Sequence, residues 1–268
     1  GSNRVLSGKI NQDAMLIAQA EGTLLEEKAL FLAVADGMGG HLKGEEAARI
    51  SIECLAELFN AAAGELDLAE AFRRAHAAIE GCYDFRNLNR KRFPAAVLTA
   101  SLIEGDRFQG LNCGDSRIYL WSRSLLRLLS RDNSAFFDSY NLLREVEIEF
   151  PLRGQELEDF YEASRQGLLL FDGAYQETEH SAVTAYLGGN QVAGPKLNKI
   201  IKFDLEAGDL VLLASDALGN YLSFEDLVAI LQRCNDLSPE EIVDELFKAT
   251  VPLAEDNLTI VAHKHLWQ

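Results

Sequence analysis

"FLAVADGMGGHLKGEEAARI", residues 31–50, passes from an apolar run through one acid and four glycines into a helix-forming segment. With Ala29 and Leu30 ahead of it, Phe31–Ala35 is almost unbroken in apolar character, the pattern of a strand covered on both faces. Beyond the glycines, Glu45 and Glu46 open a helix that places Ala48, Cys54, Leu55, Leu58 and Phe59 on one face. Asp36 at the strand tip admits three readings: a phosphate cradle, a metal site, or a plain strand-to-helix turn. The cradle fails on spacing, because the run has no G-x-G-x-x-G register and Gly44 is followed by Glu45, not lysine.

The same placement of an acid recurs along the chain. Asp216 follows "LVLLAS" (210–215), and Asp256 directly precedes "NLTIVA" (257–262). Asp115 sits in the turn between "RFQGLNCG" (107–114) and "SRIYLWS" (116–122), and Asp13 precedes "AMLIA" (14–18). One such aspartate is an ordinary turn residue. Five at the ends of strands that share a core converge, and converging carboxylates repel unless a cation lies between them. An all-oxygen donor set favours Mg²⁺ or Mn²⁺ over zinc, and a bare Gly37 lets a backbone carbonyl approach such an ion. A metal site is therefore the expectation.

Composition bounds the alternatives. The 268 residues are 48% hydrophobic and 25% charged, enough apolar material for a real core in one domain. A net charge of −17 argues against nucleic acid or an anionic membrane as partner. No apolar run is long enough to span a bilayer, and no signal peptide is read, so a cytoplasmic protein is expected. Cys54, Cys82, Cys113 and Cys234 lack metal-ligand spacing and read as reduced core thiols. Gly1-Ser2-Asn3 is set aside as foreign to the fold.

A second amphipathic helix is predicted from about Asp67 to Tyr83, and "SPEE" (238–241) marks a capped helix start. Residues 135–180 are acidic, rich in Phe and Tyr, and poorly periodic. They read as an inserted subdomain within a single domain spanning 1–268, with Phe136, Phe137, Tyr140, Phe150, Phe160 and Tyr161 exposed for a protein partner. Strands interleaved with helix pairs suggest layered α+β.

The segments "NQDA" (11–14), "DGMGGHLKGE" (36–45), "LNCGDSRIYLW" (111–121), "LLASDALGNYLS" (212–223) and "EDNLTIVAHK" (255–264) together resemble the metal-dependent protein phosphatases of type 2C, in their bacterial form. The resemblance covers nearly the whole chain. It implies an α+β fold, a β-sandwich of two antiparallel sheets with helix pairs on both outer faces. It implies that Asp36 and Asp13 hold a pair of Mn²⁺ or Mg²⁺ ions, with Asp36 bridging. The Gly37 carbonyl, Asp216 and Asp256 complete the pair, and Asp115 serves a third, weaker ion. The implied reaction, carried by Asp13, Asp36, Asp216 and Asp256, is hydrolysis of phosphoserine or phosphothreonine by a metal-bridging hydroxide. Lys9, His41 and Asn257 are the candidate substrate-binding residues. A phosphorylated protein is the implied substrate, opposed by a serine/threonine kinase, and the chain is expected to be a monomer.

Several positions depart from the family pattern. Gly8 stands where an arginine grips the phosphate, with only Lys9 beside it, and a lysine lacks the bidentate fork. "LSRDNS" (129–134) carries Asn133 in place of a histidine, Ala217 follows Asp216 in place of glycine, and Phe93-Pro94-Ala95-Ala96 replaces the Met-Gly-Thr-Thr stretch. These departures motivate the alternative of a weakened or inactive phosphatase-like domain acting as a regulatory binding module. A hydrolase of small phosphate esters is a third reading. His41 reads either as a proton donor or as a helix-entry residue packed on the glycine turn. Lys43 and Arg117 are candidate phosphate-attracting cations, Arg117 better suited to a structural ion pair. His76, His180, His263 and His265 read as surface or strand residues without a site role.

Overall fold

The computed structural model describes residues 2–4, 10–21, 28–38, 43–62, 66–83, 94–134, 137, 151–166, 183–189 and 194–266. Its strands are β1 (Ser2–Arg4), β2 (Asp13–Glu21), β3 (Lys28–Gly37), β4 (Ala95–Glu104), β5 (Arg107–Cys113), β6 (Arg117–Ser122), β7 (Leu125–Leu128), β8 (Leu152–Arg153), β9 (Leu187–Gly188), β10 (Ile201–Asp204), β11 (Leu210–Ala214) and β12 (Leu258–Lys264). Its helices are α1 (Gly44–Ala61), α2 (Leu68–Gly81), α3 (Gln155–Gln166), α4 (Ala217–Tyr221), α5 (Phe224–Arg233) and α6 (Pro239–Thr250). One sheet has the order β1-β12-β11-β6-β7-β8, the other β10-β5-β4-β3-β2, with β9 on the first residues of β4. The ladders are antiparallel.

The expected four-layer α+β arrangement is what the burial pattern produces. In β3, Phe31, Ala33 and Ala35 face α1 and α2, while Leu32 and Val34 face the second sheet. In β11, Leu210, Leu212 and Ala214 join the helical layer, while Val211 and Leu213 meet β3's inner residues. A period-2 pattern exists in both strands, but both faces are covered, so it is invisible in hydropathy. Between the sheets lie Leu32, Val34, Ile103, Phe108, Ile118, Leu120, Val211, Leu213 and Val261.

The helices form for local reasons and dock through one stripe. Buried Ala47, Ser51, Leu55 and Phe59 recur every four residues along α1, and Phe59 stacks on Phe31 with centroids 5.2 Å apart. Burying a phenylalanine of this kind contributes about 1.5–3 kcal/mol. Asp67 caps α2 by accepting the Ala69 and Glu70 N–H groups, and Ser238 with Glu241 forms a reciprocal capping box on α6, Pro239 standing in its first turn.

Several expectations need correction. Ser2 and Asn3, set aside from the sequence, form with Arg4 an edge strand that pairs with Leu258–Ile260. In the segment 135–180, Phe137 and Phe160 are buried, not exposed, and meet edge-on at 5.7 Å. With Leu152 and Leu157 they join the core under Tyr119 and Trp121. α3 escaped the sequence reading because Leu157 and Phe160 are its only fully apolar pair at helical spacing before residue 161, set in polar neighbours. Phe136, Tyr140, Phe150 and the Tyr161 side chain lie outside the described residues. Cys82 is exposed at the end of α2, whereas Cys113 and Cys234 are buried, and all four thiols are free. His76 is buried and accepts the Gly188 N–H at 2.9 Å, tying α2 to β9. Among the described residues no helix is long and apolar enough to cross a membrane.

Candidate metal centre

The aspartates meet because the strands that carry them end together. Asp13 opens β2 and stands directly opposite Asp36 near the end of β3. In the other sheet, Ala214 at the end of β11 pairs with both Arg117 at the start of β6 and Ile260 near the start of β12. Asp216, Asp115 and Asp256 lie just beyond those three points. The sheets are stitched together here. Thr259 of β12 donates its hydroxyl to Asp13 Oδ2 at 2.7 Å, and the Gln12 N–H donates to Asn257 Oδ1 at 3.0 Å.

The glycines have a steric reason that the sequence did not reveal. A Cβ on Gly37 would lie 2.3 Å from the Gly44 carbonyl oxygen and 2.6 Å from that of Gln12. A Cβ on Gly44 would come within 2.9 Å of Gln12 Nε2 and of the Gly37 backbone. The start of α1 thus rests on the end of β3 backbone to backbone, beside Asp36. Lys43 enters the helix in the left-handed region, with φ 64°. Its ammonium is bound by Glu46 at 3.1 Å and lies over the Tyr83 ring.

Electrostatics marks the cluster as one unit. The Asp13 carboxyl is raised to about 6, chiefly by burial and further by Asp216 and Asp256, with the Thr259 hydroxyl and a hydrogen bond with Asp36 pulling the other way. Asp36 is held well above the usual carboxylate range by burial, then by Asp13, Asp216, Asp115 and Asp256 in turn. Asp115 is raised well above it by burial and by Asp216, and Asp216 is raised to about 6 by burial and by Asp256. Asp256 is exposed, and its own carboxylate accepts the Asn257 N–H at 2.8 Å.

A fixed cation offsets part of this repulsion. Arg117 is buried in a forked pair with Asp132, its Nε at 3.2 and 3.1 Å and its Nη2 at 2.7 Å from the carboxylate oxygens. Phe160 lies under the guanidinium, and a Cβ on Gly219 would sit 2.0 Å from its Nη1. Arg117 draws the Asp115 and Asp216 carboxyls downward. It is a structural pair, as its residue type suggested, but the partner Asp132 was missed.

The donor chemistry fits a hard divalent cation. The groups are oxygens throughout, and charges that raise one another's pKa are relieved by a cation between them. Among the described residues no three His, Cys, Asp or Glu side chains already close at coordinating distance. The cluster is a ring of carboxylates within electrostatic reach, not a finished cage.

Of the predicted site residues, Asp13, Asp36, Gly37, Asp115, Asp216, Asp256 and Asn257 are brought to this end of the sandwich, while Lys9 and His41 lie outside the described residues. Asn257 turns its Oδ1 to the Gln12 backbone, and its Nδ2 is buried without a hydrogen-bond partner among the described residues. Thr259 was missed. Its contact with Asp13 joins residues 246 apart, and nothing near it in the sequence signals that.

A sandwich of this topology with carboxylates gathered at one end defines a class, and comparison with known proteins agrees. The family model described as protein phosphatase 2C matches residues 1–257, and the chain belongs to that family. Serine/threonine protein phosphatase PstP of Mycobacterium tuberculosis is 30% identical over 208 residues, which are 76% of this chain and 34% of that protein. The chain therefore spans about a third of that relative's length. Serine/threonine phosphatase stp of Listeria innocua is 26% identical over 247 residues, 88% of this chain and 84% of that one. The catalytic domain of PstP, crystallised in complex with two manganese ions, shares the fold with a TM-score of 0.64 at 24% identity, over 99% of this chain and 95% of that chain.

Proposed function

We propose that this chain is a metal-dependent phosphatase that hydrolyses phosphoserine and phosphothreonine in protein substrates. The observation that carries the reading is the pairing of Asp13 with Asp36 across one ladder, with Asp216, Asp256 and Asp115 all within electrostatic reach of Asp36. Asp13, Asp36, Asp216, Asp256 and the Gly37 carbonyl would hold two Mn²⁺ or Mg²⁺ ions, and Asp115 a third, weaker one. When bound, such a pair acidifies the attacking water and neutralises charge on the phosphoryl oxygens.

The chain's own residues position this chemistry. Thr259 fixes one oxygen of Asp13. Arg117 holds positive charge behind Asp115 and Asp216 without leaving its pair with Asp132. Asn257, Lys9 and His41 are the proposed substrate-binding residues. The domain is read as a single unit with an inserted subdomain at about 135–180. An opposing kinase and a cytoplasmic setting go with a phosphoprotein substrate, and the four free thiols support a reducing compartment.

The test is Mn²⁺-dependent hydrolysis of p-nitrophenyl phosphate and of a phosphothreonine peptide, in wild type and Asp36→Asn. Turnover of both, lost on chelation and in the variant, is expected. Tight Mn²⁺ uptake without turnover would instead establish the regulatory binding module, which the engagement of Arg117 by Asp132 and the absence of an arginine at position 8 favour. Turnover of the small ester alone would leave a small-molecule hydrolase.

A further inference from the structure

The Gly114–Asp115 turn is gripped from both sides. Gly114 has φ +118°, and a Cβ there would lie 2.3 Å from Val97 Cβ, so the turn rests directly on β4. From the other side Asn133 holds it twice. Its N–H donates to the Gly114 carbonyl at 2.8 Å, and its Oδ1 accepts the Gly114 N–H at 3.0 Å. Asn112 Nδ2 donates to the same carbonyl at 3.2 Å.

Asn133 is itself held. It exchanges reciprocal amide bonds with Asn198, each 3.1 Å, and its carbonyl accepts the Thr184 N–H at 2.8 Å. Asn198 Nδ2 also reaches Asn112 Oδ1 at 3.0 Å and the Arg131 carbonyl at 2.7 Å. Each polar group of Asn133 is engaged, and the residue is 4% exposed. Beyond the β6–β7 ladder, Ser130 accepts the Ile118 N–H, Asp132 takes Arg117, and Asn133 takes Gly114. Residues 130–133 therefore close over 114–118 by side chains where the strands stop pairing.

We propose that Asn133, secured by Asn198, is the positioning residue that sets the ion affinity of Asp115. Asn133 touches no reacting atom; it acts through the one turn that carries this carboxylate. The inference rests on the phosphatase reading, in that it takes Asp115 as an ion ligand. A carboxylate sharing an ion with others must be placed within about 0.5 Å. Truncating Asn133 to alanine keeps its backbone N–H bond to the Gly114 carbonyl but removes the Oδ1 acceptor of the Gly114 N–H and the amide pairing with Asn198 that secures the turn.

The experiment is titration of the metal-free protein with Mn²⁺, followed by the spin-resonance signal of the free ion. It compares wild type, Asp115→Asn, Asn133→Ala and Asn198→Ala. Thr250→Val, which removes a buried hydroxyl bond within α6, controls for general destabilisation. Asn133→Ala is expected to weaken by about 10–100-fold the ion class that Asp115→Asn abolishes, with the tighter class within about twofold of wild type. Asn198→Ala is expected to weaken the same class by a smaller factor, and its partly exposed position keeps the test open if Asn133→Ala does not fold. Thr250→Val should shift Tm alone.

The proposal is overturned if the Asn variants leave the weak class untouched or weaken all classes alike, or if Asp115→Asn removes no class. In those cases tight uptake in wild type leaves the phosphatase reading standing. Absence of any tight Mn²⁺ uptake by wild type would overturn the reading and the proposal together.

Discussion

At Asp13, a hydroxyl from the opposite sheet does what no neighbour in sequence does. Thr259 Oγ1 donates to the carboxylate at 2.7 Å from a fully buried position, and so favours its charged form, the one the proposed metal site requires. Thr259→Val keeps the shape and removes the donor. It is expected to weaken Mn²⁺ binding about 10–100-fold, while Thr259→Ser stays within a few fold, both read by calorimetric titration. A Val variant that binds Mn²⁺ like wild type would show that the hydroxyl only fills space. Gly37 makes a different demand. The atoms facing its missing Cβ belong to the backbone carbonyls of Gly44 and Gln12, which cannot swing aside. Gly37→Ala should therefore cost about 1–3 kcal/mol by overpacking, seen as a lower urea midpoint, and should loosen Asp36 with it.

Among the elements, α6 and α3 show how differently helices are encoded. The α6 start is written in four consecutive residues, because the capping box on Ser238 closes within one turn. Ser238→Ala should cost about 1 kcal/mol by chemical denaturation and leave Mn²⁺ affinity unchanged. α3 has no comparable signal, yet Leu157 and Phe160 are wholly buried under the sheet that bears Asp115 and Asp216. Phe160→Ala should cost about 3–5 kcal/mol, a core value, and it also removes the ring beneath Arg117. A loss near zero would restore the sequence-based picture of a segment serving only substrate selection. The same burial means that exchanging 140–175 for a flexible linker would strip Leu152, Leu157 and Phe160 from the core, so the exchange would not isolate specificity.

Over the whole molecule, the acid ring makes folding and ion binding one problem. Asp216 carries a proton up to about 6 when folded, against an ordinary value of 3.8. The folded state thus binds that proton more tightly, so metal-free stability gains from this group as pH falls through 6 and levels off below 4. Metal-free Asp216→Asn is expected to be more stable than wild type at pH 8, with the gap closing toward pH 4. Saturating Mn²⁺ at pH 7.5 should reverse the order. Thermal unfolding across pH, with and without Mn²⁺, checks both signs, and a gap that stays constant with pH would contradict the placement of Asp216. Much of this was legible beforehand. Apolar runs of strand length, acids at their ends, helix stripes and caps are all patterns within a few residues, and local sterics and hydrogen bonding decide them. Asp13, Asp36, Asp115, Asp216 and Asp256 were therefore found one by one. What faces each of them was not. That Thr259 meets Asp13, that Asp132 neutralises Arg117, that Asn133 holds Gly114, and that Phe137 and Phe160 are core all depend on strand register and on how two sheets stack. Those contacts join residues up to 246 positions apart, and packing alone selects them.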